Sequence, residues 1–166
     1  MTTSNARKPL GGFLHSLSDK VNTLTEAALF ATLVIMVIVT ILQVVFRFFF
    51  NALTWSEEAA CFLLVFASLL GTAVAFKKGN HIAVTFLVDK MSVTGKKLAQ
   101  TLIGLLGLGF FGIVAYYGAF LMKVEAGQLT PALQISMKWV YLQYPLVGSI
   151  IVLHLADSII KTWEEG

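Results

Sequence analysis

The sequence predicts an all-α membrane protein: four transmembrane helices, short amphipathic interfacial helices, and N and C termini on the cytoplasmic side. Three observations predict it. Hydrophobic residues make up 57% of the 166 residues and charged residues only 13%, against about 25% charged in an average soluble domain. The mean hydropathy is +0.82. Four apolar runs, at about 27–46, 59–76, 98–122 and 139–160, each match the roughly 20 helical residues that cross a hydrocarbon core of about 30 Å. Open strands are excluded there, because lipid offers their edge amides no partner. So few charges also exclude a soluble enzyme and a nucleic-acid-binding domain. The net charge of +3 is the lysine excess expected of cytoplasmic loops. A lone cysteine excludes an internal disulfide and a multi-thiolate metal site.

The chain begins with an amphipathic segment, about 10–24. Leu10, Phe13, Leu14, Leu17, Val21 and Leu24 recur at steps of three and four, with His15, Asp19, Lys20 and Asn22 between them. This pattern is read as a helix lying on the inner membrane surface, with an extension of the first span into the cytoplasm as the alternative. The first span is not a cleaved signal peptide. It is too long for an h-region and is followed by Arg47 and three phenylalanines, without a small-residue cleavage site. Between the first two spans lie Arg47, Asn51, Trp55, Ser56, Glu57 and Glu58. The glutamates open the second span, where the helix dipole favours them, and Thr54 or Ser56 is a candidate cap. An Arg47 pair with Glu57 or Glu58 would pin the helical hairpin. A cation-handling carboxylate pair is the sharper reading, but adjacent helical residues point about 100° apart.

The second span carries Ala67, Gly71 and Ala75, and the third Gly104 and Gly112 among other glycines. Small stripes of this kind let helices approach closely in lipid. Between these spans, Lys77–Lys78–Gly79–Asn80–His81 leads into a short apolar stretch, and about 82–90 is read as an interfacial segment between lysines. A re-entrant loop is the alternative there. The link from Lys123 to Lys138 contains Gly127 and Thr130–Pro131 and is expected to carry a short ordered element on the outer face. The fourth span holds His154 and Asp157, three residues apart and so on one face. Their reading is an anchoring pair, with proton transfer as the alternative.

Nine of the twelve Lys and Arg fall in the N-terminal segment, the 77–97 link and the C-terminal tail, which puts both termini in the cytoplasm. Haem ligation needs facing histidines within spans, and only His154 lies in one. Cys61 reads as a packing residue. No nucleophile, base and acid can be assembled, so the chain is not an enzyme and needs no cofactor or metal. No repeat or linker divides residues 1–166, which read as one membrane domain.

Several elements in order carry a resemblance. The first span ends Gln43–Val44–Val45–Phe46–Arg47–Phe48; Asn51 and Thr54–Trp55–Ser56–Glu57–Glu58 follow. Next come Gly71, Lys77–Lys78–Gly79–Asn80–His81–Ile82 and Asp89, then Thr130–Pro131–Ala132–Leu133 and Lys138–Trp139–Val140–Tyr141 with Pro145. From about residue 20 to 157 the chain resembles the small membrane subunit (DctQ type) of tripartite ATP-independent periplasmic, or TRAP, transporters. Asn80 departs from the family pattern, which has an acidic residue before the histidine. The resemblance implies a scaffold for a large membrane subunit (DctM type) that carries the substrate and sodium sites. It also implies a periplasmic substrate-binding protein (DctP type) that delivers an organic acid in the inner membrane. Thr130 and Pro131 are candidate contacts to that binding protein. The alternative function is a small homodimeric four-helix exporter, which would need an intramembrane carboxylate such as Glu58 or Asp157.

Overall fold

The computed structural model of the chain describes residues 9–78 and 93–164. The interfacial segment expected at 82–90, together with Asn80, His81 and Asp89, lies outside the described residues. The described chain is helical apart from short links: α1 (Pro9–Phe49), α2 (Ser56–Lys77), α3 (Val93–Val124), the short α4 (Met137–Tyr141) and α5 (Gln143–Glu164). Four helical stretches are long and apolar enough to cross a membrane: Leu14–Phe49, Ser56–Lys77, Gly95–Gly127 and Met137–Trp163.

The amphipathic segment at 10–24 is helical, but it does not form a separate surface helix. It runs without interruption into the first span as one helix of 41 residues, about 60 Å long at 1.5 Å per residue. The sequence offers no break: no proline or glycine lies between Gly12 and Phe49. The apolar stripe does not face the bundle as a whole: Leu14 and Val21 are half-buried, and Ser16, Asp19, Lys20 and Thr23 are exposed. Leu17 and Leu24 point outward (38% and 72% exposed), while Ser18 is fully buried. Among the described side chains of α1 the buried ones are Ser18, Thr25, Thr32 and Val39, one every seven residues. A seven-residue seam keeps one face against a neighbour when helices cross in a left-handed sense. Its hydroxyls cost little to bury, because Thr25 Oγ1 and Thr32 Oγ1 donate to the carbonyls of Val21 and Ala28 at 2.8 and 2.7 Å.

α5 is the centre of the bundle and packs against α1, α2 and α3, while α1 also packs along α2. The core is small: Leu70 and Ala73 of α2 meet Val147, Ile151 and Leu155 of α5. Phe76 of α2 touches Phe111 of α3 edge to face, 5.2 Å between centroids. Along the α3–α5 seam glycines allow the approach. A Cβ at Gly104 would lie 2.7 Å from Ile159, at Gly107 2.9 Å from Leu155, and at Gly118 2.6 Å from Tyr144 Cβ; on α5, a Cβ at Gly148 would lie 3.0 Å from Ala115.

The expected packing positions therefore divide. Ala67 is buried and Gly104 faces Ile159, whereas Gly71 and Gly112 have no atom within 4 Å of a built Cβ and Ala75 is exposed. The last span, expected as one run from 139 to 160, is broken at Leu142. Pro145 supplies the reason: it has no N–H for the carbonyl four residues back, and its ring clashes there, so α4 ends at Tyr141. Pro145 itself sits in the first turn of α5, where a missing N–H is tolerated.

Candidate functional site: polar clamps at the two ends of the bundle

Among the described residues the charged side chains gather at the two ends of the bundle. At one end, the start of α2 meets the 125–136 link. α2 opens with Ser56, Glu57 and Glu58. Neither expected cap is used: the residue before the helix is Trp55, with no side-chain cap, and Ser56 Oγ donates to the Leu53 carbonyl at 2.7 Å. Glu58 turns inward, and its Oε2 accepts the Ala132 N–H at 2.6 Å. A carboxylate accepting a backbone N–H makes one of the stronger protein hydrogen bonds.

The loop that Glu58 grips is braced internally. Leu129 and Ser136 form a bridge, and Thr130 N–H donates to Ile135 O at 2.8 Å. Ile135 N–H donates to Thr130 Oγ1 at 3.3 Å. Ser136 caps α4 through Lys138 N–H and donates to Ala126 O at 2.8 Å. Gln134 has φ of 54° and ties its side-chain amide to Pro131 O at 2.7 Å.

This geometry corrects two expectations. Among the described residues Arg47 forms no ion pair with Glu57 or Glu58: Arg47, Asn51, Trp55 and Glu57 are exposed, and Glu58 is taken by the loop. The start of α2 is thus tied to the distant 130s loop. Thr130 is fully buried and shapes the loop from inside, while Pro131 is exposed at its tip.

At the other end, the start of α1, the end of α2 and the end of α5 converge on Lys77. Its Nζ lies 2.8 Å from Asp157 Oδ2 and 2.7 Å from Asp19 Oδ1, and it donates to Ser18 Oγ at 2.8 Å. Ser18 Oγ also lies 2.9 Å from His154 Nδ1, and His15 Nδ1 is 2.5 Å from Asp157 Oδ1. Lys78 pairs with Glu26 at 3.1 Å, which in turn accepts from Asn22 at 2.7 Å. Ser18, His154 and Asp157 are buried at 0%, 1% and 4% exposure. His154 and Asp157 are thus joined through Ser18 and Lys77, and do not bond each other directly. Beside them, Trp163 Nε1 donates to Thr101 at 3.2 Å, tying α5 to α3.

Sequence reasoning missed Lys77, Ser18, Asp19 and His15 as members of this cluster. The bonds join residues 59, 80 and 136 positions apart, so no local spacing reveals them. The available signal was the small hydroxyl residue at the edge of the apolar stripe, beside Leu14 and Val21 and in phase with Thr25 and Thr32. Cys61, read as a packing residue, is exposed. Among the described residues no three of His, Cys, Asp and Glu are grouped as metal ligands. What the arrangement can do chemically is hold helices: it fixes α1, α2 and α5 at one end and the loop to α2 at the other.

The family model for the DctQ component of tripartite ATP-independent periplasmic transporters matches residues 36–165. A putative TRAP transporter small permease protein of Haemophilus influenzae is 23% identical over 150 residues, 90% of this chain and 93% of that one. The C4-dicarboxylate TRAP transporter small permease protein DctQ of Rhodobacter capsulatus is 30% identical over 121 residues, 68% of this chain and 52% of that one. The sialic acid TRAP transporter permease protein SiaT of Haemophilus influenzae is 28% identical over 118 residues, 71% of this chain but only 19% of that longer protein.

Proposed function

The chain belongs to the DctQ-component family of tripartite ATP-independent periplasmic transporters, and on that premise we propose that it scaffolds a large transport subunit in sodium-coupled uptake of an organic acid. It is a multi-pass integral membrane protein. The proposed location is the bacterial inner membrane, and the distribution of Lys and Arg supports both termini in the cytoplasm. The partners are a large membrane subunit of DctM type, which carries substrate and sodium, and a periplasmic binding protein of DctP type. The exposed tip at Pro131, with Trp55 and Glu57 beside the clamp, is part of the docking surface for the latter.

One observation carries this reading. Matches over 90%, 71% and 65% of this chain cover nearly the whole of a small permease protein yet only 19% of SiaT and 17% of an isethionate TRAP transporter permease protein, DctMQ, of Oleidesulfovibrio alaskensis. A unit that occurs both alone and inside a much longer permease works beside what the remaining length encodes. The polar clamps support the same division of labour. Glu58 and Asp157, the carboxylates that a self-sufficient exporter would need, are engaged at the ends of the helices.

The experiment is co-expression with the neighbouring large permease subunit and the binding protein, followed by uptake in proteoliposomes. The small and large subunits should co-purify, uptake should need both, and the isolated chain should show no calorimetric binding of sialic acid or a C4-dicarboxylate. Uptake by the large subunit and binding protein alone, or substrate binding by the isolated chain, would refute the proposal. Pro131→Glu should weaken uptake while leaving co-purification intact; unchanged uptake would remove the docking role from this tip.

A further inference from the structure

An open apolar groove of about 290 Å³ lies between α2 and the α4–α5 corner, walled by Phe62, Leu63 and Phe66 on one side and by Trp139, Gln143 and Leu146 on the other. Three features separate it from ordinary lipid-facing surface. Gln143 lines it with a polar side chain that is 9% exposed and has no hydrogen-bond partner among the described residues. The amide is not among the fully enclosed unpaired polar atoms, so it opens onto the groove, within reach of a group the chain does not supply. Trp139, 63% exposed, stands at the mouth of the groove, and tryptophan at a span end marks the headgroup boundary. Lys138 Nζ lies 5.8 Å from the centre of the Trp139 ring, bringing a cation to the same mouth.

We propose that this groove is a phospholipid site. One acyl chain lies among Phe62, Phe66 and Leu146, the Gln143 amide donates to the glycerol ester carbonyl, and the Lys138 ammonium meets the phosphate. The depths agree. Lys138 lies in the first turn of α4 and Gln143 opens α5 beyond the break at Leu142, so the order of cation, amide and apolar walls matches that of phosphate, ester and chain. A partner helix fits less well. Close helix approach in membranes uses small residues, whereas these walls are phenylalanine, tryptophan and leucine, and an aliphatic partner would leave the Gln143 amide unpaired. The site rests on membrane immersion and does not depend on the transport reading.

Native mass spectrometry of the detergent-purified full chain tests it, with dioleoylphosphatidylglycerol and dioleoylphosphatidylcholine added back after delipidation. The expected result is one phospholipid retained per chain. Gln143→Leu and the groove-filling Leu146→Trp should each lower occupancy at least fivefold, and the surface change Lys138→Gln, which leaves packing untouched, about threefold. Leu105→Trp, on the exposed side of α3, should change nothing. Equal occupancy in all variants would overturn the site, as would a wild-type chain that retains no lipid. Cross-linking from Leu146→Cys to the large subunit in the complex, with no lipid retained, would overturn it in favour of a partner helix.

Discussion

Replacing Lys77 with methionine tests the cluster that joins α1 to the rest of the bundle. The change keeps the length and apolar stem of the side chain and removes three polar contacts at once, to Asp157, Asp19 and Ser18. The three do not weigh equally. The Asp19 side chain is 69% exposed, and an ion pair of that kind is worth about 0–1 kcal/mol. The Asp157 side chain is only 5% exposed, and removing one partner of a buried pair typically costs about 3–5 kcal/mol, because a charge is left in low dielectric.

His15 stays beside Asp157 and the cluster sits at a helix end, so the lower part of that range, about 3 kcal/mol, is the expected loss. Unfolding in mixed micelles titrated with dodecyl sulfate, followed by circular dichroism, measures it. A cycle with Asp157→Asn separates the pair from its surroundings: the double variant should recover about 1.5 kcal/mol or more of the summed single losses, since removing both charges leaves no orphan. Amide exchange in residues 14–24 should speed up in Lys77→Met. A loss below about 1 kcal/mol, or strict additivity in the cycle, would refute the claim that Lys77 holds α1 in place.

Three further outcomes follow from the same structure. Glu58→Ala removes the acceptor of Ala132 N–H and should cost about 1.5–3 kcal/mol, as for a bond to a charged group; protease nicking in the 128–136 loop should rise, and unchanged resistance would argue against the clamp. Gln134 is held at φ of 54°, so Gln134→Gly should be neutral or up to about 1 kcal/mol stabilising by relieved strain, less the lost bond to Pro131 O; a clear loss on the same unfolding scale would contradict this. Gly118→Ala must displace Tyr144 and the Pro145 backbone and should cost about 1–3 kcal/mol by overpacking. Gly112→Ala, with open space around it, should be neutral or stabilise by about 0.5–1 kcal/mol in the isolated chain. The two alanine variants behaving alike would show that the seam is drawn on the wrong face.

Much of this molecule was legible because lipid simplifies the problem. Once strands are excluded, span length and the absence of charge determine four helices, and they do so whatever the partners are. The boundaries missed were those set by absence or by distance. The continuity of α1 through residues 10–24 follows from having nothing to stop it, yet its inward face is chosen by Lys77, Lys78, His154 and Asp157, which arrive from far along the chain. Amphipathicity misled for the same reason. The buried seam lies at the edge of the apolar stripe, where Ser18 meets Lys77 and His154, so Ser18 goes in while Leu24 faces out and Asp19 stays exposed. The break at Leu142 could have been read from Pro145 and the carbonyl four residues earlier. The grip of Glu58 on the Ala132 amide joins residues 74 positions apart, and no local spacing points to it.

These observations bear on how a small unit of this kind can be both stable and sociable. Lipid gives helices no hydrophobic reason to associate, so cohesion must come from close packing and from polar groups that would otherwise lack partners. Here the two are kept apart along the membrane normal. Polar clamps hold the ends, and glycine approaches hold α3 to α5 between them. Neither device uses the far side of α3 or the middle of α2, where Gly109, Gly112 and Gly71 face open space. A glycine in a helix costs stability unless something needs the room. Those on the α3–α5 seam are explained within the chain; the open ones are not. Had the bundle been built to stand alone, alanine would serve better at all three. On the scaffold proposal these three positions are where a partner helix approaches, which gives the test an address: Gly112→Leu should leave the isolated chain as stable as before while lowering its co-purification with the large subunit. If co-purification survives that change and the equivalent one at Gly71, the partner binds elsewhere and the open glycines need a different explanation.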